Sequence, residues 1–182
     1  MKFRDKNILA TFIFYFILVI SAIINYFVSE GDKLQRILII FALVLVLSLA
    51  FKLAFFKKIT DIYLPLLLFV FFSTYCARVL NFYSLDIYDK ILHFSSGILA
   101  GYIGIVIYDL LFINANDIRG RIAFAIFFAI AVAGLWEVWE FSCDKLLSMR
   151  LQRSLDDTMY DIICGSIGGI IISSIYGIIK KN

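Results

Sequence analysis

The chain's one histidine and several of its acidic residues lie close to the ends of three apolar segments in the C-terminal half. They are Asp89, His93, Glu137, Glu140, Asp144, Asp157 and Asp161. Within each segment the residues are three, four or seven positions apart, so on a helix each group lies along one face. Imidazole and carboxylate groups brought together in this way can bind a divalent cation, share protons or act as general acids and bases.

The residue types suggest three candidate roles. The candidate ligands of a divalent metal are His93, Glu140, Asp144 and Asp161, and a mixture of imidazole and carboxylates suits Zn, Mn or Fe better than Mg. The candidate catalytic carboxylates are Asp89, Glu137 and Asp157. The candidate substrate-binding cations are Arg78, Lys90 and Arg153, because their charge suits a phosphate group.

Composition restricts the class of protein that can carry these residues. Of the 182 residues, 63% are apolar and 17% are charged, whereas soluble domains are roughly 45 to 50% apolar. The composition excludes a soluble domain and a nucleic-acid-binding protein. The net charge of +3 is small and indicates no particular charged partner.

The apolar runs predict an all-α polytopic bundle that forms a single transmembrane domain over residues 1–182. A membrane span needs about 20 apolar residues, and the runs between charged or turn residues predict six of them. The predicted spans are 8–28, 37–56, 62–80, 91–112, 122–147 and 159–179.

With six spans, both termini lie on the same side of the membrane. That side collects ten lysine and arginine residues and the other side seven. Since cytoplasmic segments carry the excess of these residues, the count predicts cytoplasmic termini in a bacterial inner membrane. The acidic residues and His93 then lie at the extracytoplasmic face.

Glycines extend two of the polar faces. The fourth span has Asp89, His93, Gly97 and Gly101 at steps of four, and the sixth has Asp157, Asp161, Gly165 and Gly169 at the same steps. Small residues at this spacing allow membrane helices to approach closely, so we expect the two glycine faces to pack together. His93 and Asp161 would then lie at matching depth, within direct or water-bridged hydrogen-bond reach.

Three segments carry a resemblance to known proteins: Asp-Lys-Ile-Leu-His-Phe at 89–94, Trp-Glu-Val-Trp-Glu-Phe at 136–141 with Asp144, and Asp-Thr-Met-Tyr-Asp at 157–161 with Gly168. Over roughly residues 60–180 the pattern resembles a bacterial inner-membrane family typified by YjdF and, more distantly, VanZ-like proteins. The resemblance implies a multi-pass protein of the bacterial inner membrane and leaves the activity open. In those families an asparagine commonly follows the last aspartate by four residues, where this chain has Gly165.

Three hypotheses for function follow. The first is a membrane enzyme that uses a divalent metal to process or bind a lipid-linked or polyisoprenoid phosphate at the outer leaflet. The alternative is a non-enzymatic accessory protein that binds lipid or drug, or a small proton-linked carrier, because intramembrane acids serve proton relays. The third is a structural bundle whose acids pair with arginine and lysine. Membrane lipid is the expected partner, and no nucleic acid is expected. The sequence leaves open whether the chain forms a homo-oligomer.

Overall fold

The regular structure of the chain is helical throughout the part that the computed structural model describes, residues 3–53, 56–112 and 117–181. The α-helices are α1 (Phe3–Val28), α2 (Leu34–Ala50), α3 (Tyr63–Val70), α4 (Asp86–Leu111), α5 (Ile118–Leu147) and α6 (Leu155–Lys181). Short 3₁₀ helices occupy Phe56–Ile62 and Phe82–Ser84, and a π-helical segment, Phe71–Val79, continues α3. The prediction of an all-α protein is confirmed for these residues.

Five helical segments of the described chain are long and apolar enough to cross a membrane. They are Lys6–Val28, Ile59–Val79, Ile87–Leu111, Ile118–Leu147 and Leu155–Lys180. Each overlaps one of the predicted spans and extends a few residues beyond it at one or both ends, because the first and last turns of these helices contain polar residues that the apolar pattern left out.

The second predicted span is the exception. Its helix, α2, is apolar but has only 17 residues, or about 26 Å against a hydrocarbon core of about 30 Å. The predicted end at residue 56 is wrong: α2 ends at Ala50 and residues 51–53 form a turn, so Lys52 lies beyond the helix. Residues 54 and 55 lie outside the described part of the chain.

The chain divides into two compact units, Met1–Ser84 and Leu85–Asn182. In the first unit, α1 packs against α2 and α3, and polar side chains join the helices. The hydroxyls of Thr11 and Tyr63 are 2.6 Å apart, and Ser21 bonds the hydroxyl of Tyr75. Such hydrogen bonds between helices stabilise bundles in a membrane, where burial of apolar surface gives little driving force.

In the second unit, α4, α5 and α6 pack on one another, and the glycines bring α4 and α6 into backbone contact. A Cβ added at Gly97 would overlap the carbonyl group of Gly165, and one added at Gly101 would lie 3.1 Å from the carbonyl oxygen of Gly169. The predicted packing of the two glycine faces is confirmed. Only glycine at position 97 permits so close an approach.

A row of alanines on α5 faces glycines of α4 and α6. Ala125, Ala129 and Ala133 follow one another at steps of four, and all three are buried. A Cβ at Gly165 would lie 2.9 Å from the Cβ of Ala133. The next position along this row is the buried Glu137, so the three helices meet along small residues and carry their polar groups to the same end.

We predict that Gly97→Ala destabilises the protein by about 1–3 kcal/mol, because the added methyl group has no space and the helices must separate. Thermal or denaturant unfolding in detergent micelles measures the change. Gly134→Ala is the matched control on α5, since nothing lies within 4 Å of an added Cβ there. Equal stability of the two variants would contradict the glycine contact.

Candidate metal centre

Three side chains from α4 and α6 converge near the start of both helices. Asp89 and His93 lie one turn apart on α4, and Asp161 lies on α6. Each offers one ligand atom, and these atoms all lie within 4.8 Å of one another, which makes them the one group of metal-ligand type found among the described residues. The arrangement can hold a single cation.

The individual distances fit a metal site. His93 Nε2 lies 3.6 Å from Asp161 Oδ1 and 3.9 Å from Asp89 Oδ1. Ligand atoms around a tetrahedral metal with bonds of about 2.0 Å are roughly 3.3 Å apart, so these two pairs are within about 0.6 Å of that spacing, and the third pair lies within 4.8 Å. The approach of His93 to Asp161 was predicted from the glycine spacing and is confirmed.

Lys90 lies in the same cluster and carries the opposite charge to its aspartates. Its Nζ lies 2.6 Å from Asp157 Oδ1, 2.6 Å from Asp161 Oδ1 and 3.6 Å from Asp89 Oδ2. Three aspartates therefore share one ammonium group, which leaves two formal negative charges that Lys90 does not balance. A divalent cation has the charge that would compensate them.

Glu137 lies beside His93, on the side of the ring away from the aspartates. Its Oε1 is 3.9 Å from His93 Nδ1, whereas Nε2 faces Asp89 and Asp161. Glu137 is only 4% exposed, and Oε1 has no hydrogen-bond partner among the described residues. Leaving a buried oxygen without a hydrogen bond costs free energy.

The two other acidic residues of α5 have different partners. Glu140 Oε1 accepts a hydrogen bond of 2.9 Å from Trp136 Nε1 on its own helix. The carboxylate of Asp144 accepts the backbone N–H groups of Leu151 and Gln152, at 2.5 and 3.0 Å. The structure therefore brings neither of these two predicted metal ligands into the group of Asp89, His93 and Asp161, and Asp144 instead holds the α5–α6 loop.

The predicted substrate-binding cations have different surroundings. Lys90 bonds the aspartates, whereas Arg153 is exposed in the loop that leads into α6. Arg78 belongs to the first unit, where its guanidinium group lies 5.6 Å from the ring centre of Tyr83.

The loop before α6 and the start of α6 each contribute one polar residue that the sequence did not single out, Gln152 and Thr158. Gln152 Nε2 donates to Thr158 Oγ1 at 3.1 Å and to the backbone carbonyl of Glu137 at 3.4 Å. These bonds tie the end of α5 to the start of α6. Nothing in the spacing of Gln152 and Thr158 signals this contact, whereas the alanine row before Glu137 was a readable signal for the inward position of that glutamate.

We predict that Lys90→Met destabilises the protein by roughly 2 kcal/mol, because three aspartates lose their ammonium partner and hydrogen bonds to charged groups contribute about that much. Unfolding in detergent micelles measures the loss. Lys145→Met is the control: this exposed ammonium lies 5.5 Å from the Phe141 ring centre and should matter by less than about 1 kcal/mol. An equal loss of stability in both variants would mean that the contacts of Lys90 with the aspartates do not stabilise the protein.

Comparison with known proteins shows one relative of known source. A Thermotoga maritima protein with the name “Uncharacterized protein” is 33% identical over 104 residues, which is 54% of this chain and 53% of that protein. The match thus spans about half the length of the relative. No solved structure matches the chain significantly.

The comparison with protein families covers far more of the chain. A family model matches residues 6–182, which include all the residues of the metal-ligand group and the glycine and alanine rows. On the strength of that match, the protein belongs to the family described as “Predicted membrane protein (DUF2238)”.

Proposed function

We propose that this membrane protein binds a divalent transition metal through Asp89, His93 and Asp161 and uses it to bind or process a lipid-linked or polyisoprenoid phosphate. The observation that carries the proposal is the convergence of three ligand atoms within 4.8 Å. The two negative charges left over by Lys90 support a divalent cation in particular.

The ligand set favours certain metals. Imidazole suits Zn and Fe, and carboxylates suit Mn, so these three are the candidates. Three protein ligands with a further position for water or substrate are typical of catalytic metal sites, whereas structural sites are closed by four. A metal held in this way would polarise a phosphoryl oxygen or activate a water molecule.

The surroundings of the site support a lipid phosphate as the ligand. Trp136 and Trp139 lie on either side of Glu137 in the sequence, and both are about half exposed. Tryptophan is enriched at the level of the lipid headgroups, so the metal site would lie at the depth of a lipid phosphate. Lys90 is held by aspartates, and the exposed Arg153 would be a cation that contacts that phosphate.

The proposal includes the location expected from the sequence, a bacterial inner membrane with cytoplasmic termini. The Thermotoga relative supports a bacterial source, and the resemblance to YjdF-typified and VanZ-like proteins supports the inner membrane. The metal-ligand group lies near the start of α6, and the chain's end lies past the other end of that helix. A cytoplasmic C-terminus would therefore place the site at the extracytoplasmic face.

We predict that the purified protein binds one Zn²⁺ or Mn²⁺ per chain and that His93→Ala or Asp161→Asn weakens binding by more than about 100-fold, since even partners outside the ligand set are worth 10- to 100-fold. Competition with a chromophoric chelator measures the affinity. Asp156→Asn is the matched control, because it removes one exposed carboxylate from the first turn of α6. No metal bound by the unaltered protein would overturn the proposal.

The substrate class has its own test on the same samples. We predict that a polyisoprenyl phosphate in nanodiscs binds more tightly after Mn²⁺ or Zn²⁺ is added, and that a polyisoprenyl diphosphate releases inorganic phosphate only with the metal present. Asp161→Asn should abolish both effects. Metal binding without any effect of these lipids would favour the accessory or carrier hypothesis for the same site. A measurement of proton flux in liposomes would then distinguish the carrier from the accessory protein.

A further inference from the structure

The two ring nitrogens of His93 face different groups. Nε2 points toward Asp161 and Asp89, at 3.6 and 3.9 Å, and Nδ1 points toward Glu137 Oε1, at 3.9 Å. The ring thus lies between the candidate metal position and a buried carboxylate on a third helix. Glu137 does not belong to the group of three residues whose ligand atoms lie within 4.8 Å of one another.

The chemistry of imidazole assigns the proton in this arrangement. A neutral ring has one N–H donor and one acceptor nitrogen. A metal takes the lone pair of the acceptor nitrogen, so a metal at Nε2 requires the proton to be on Nδ1. Histidine ligands nearly always donate that other N–H to a carboxylate, a carbonyl group or water, which fixes the orientation of the ring and raises its basicity.

We infer that Glu137 is a positioning residue that accepts the Nδ1–H of His93 and thereby presents Nε2 to the metal. The inference rests on the proposed metal site and changes the role of Glu137 from the catalytic one suggested by the sequence. A closure of about 1 Å would bring Oε1 and Nδ1 to hydrogen-bond distance.

The state of the neighbouring acids supports the choice of Glu137. Glu140 already accepts from Trp136, and Asp144 already accepts two backbone N–H groups of the loop. Glu137 Oε1 is buried and has no partner among the described residues. Since Ala133 packs against Gly165 one turn earlier, the backbone that carries Glu137 is held against α6 and keeps the carboxylate beside the ring.

The composition of the chain makes a direct test feasible, because His93 is its one histidine. Protein labelled with ¹⁵N-histidine gives imidazole signals from this residue alone, and couplings to the ring protons identify each nitrogen. With Zn²⁺ bound, we expect the proton on Nδ1 and the metal on Nε2. A proton on Nε2 with the metal on Nδ1 would overturn the inference without the need for any variant.

A series of variants tests the energetic role. Glu137→Gln keeps an acceptor oxygen but loses the charge, and we expect Zn²⁺ affinity to fall about 10- to 100-fold. Glu137→Ala removes the acceptor and should weaken binding further, whereas Asp156→Asn should not change it. Unfolding curves confirm that each variant is folded.

The outcomes separate the two proposals. If the unaltered protein binds no Zn²⁺, the proposed function fails and the role of Glu137 fails with it. If Zn²⁺ binds and Glu137→Gln has unchanged affinity, the metal site stands and the positioning role is wrong. If a Glu137 variant does not fold, the nitrogen assignment in the unaltered protein decides the question.

Discussion

The contact between the backbones of α4 and α6 is the constraint on which the candidate site depends. At Gly97 there is no space for a Cβ, because the carbonyl group of Gly165 occupies it. One turn from this contact, His93 on α4 and Asp161 on α6 stand 3.6 Å apart. A side chain at Gly97 would force α4 and α6 apart and so move His93 away from Asp161.

The polar groups of the cluster are arranged to limit the cost of placing them between apolar helices. Charged side chains inside a membrane are costly, and Asp161 is only 3% exposed. Lys90 offsets part of this cost by bonding Asp157 and Asp161, but it leaves Glu137 Oε1 unpaired. That oxygen faces Nδ1 of His93 at 3.9 Å.

Features that depend on spacing within a helix were predictable from the sequence. The steps of four that join His93 to Gly97 and Asp161 to Gly165 determine which faces meet, and the structure has those faces in contact. The helices themselves were predictable because each apolar run is bounded by polar residues. The end of α2 was not, because the apolar run continues beyond Ala50 and gives no sign of the turn that follows.

The hydrogen-bond partner of each carboxylate could not be predicted from residue spacing. Glu137, Glu140 and Asp144 lie on one face of α5, but only the structure shows that a neighbouring indole engages Glu140 and that Asp144 engages a loop. Lys90 had the charge to meet a phosphate and instead bonds aspartates. Which partner a charged side chain bonds depends on side-chain rotamers and on the paths of loops, and a periodic sequence pattern contains neither.

The register of the glycine contact has a consequence for how the length of this chain can vary. Because an α-helix turns by about 100° per residue, one residue inserted between His93 and Gly97 would rotate His93 away from α6 while the glycine contact stayed in place. The same holds between Asp161 and Gly165. An insertion in a loop would leave both faces in register, whereas the four-residue interval between each candidate ligand and its glycine has to keep its length for His93 and Asp161 to stay together.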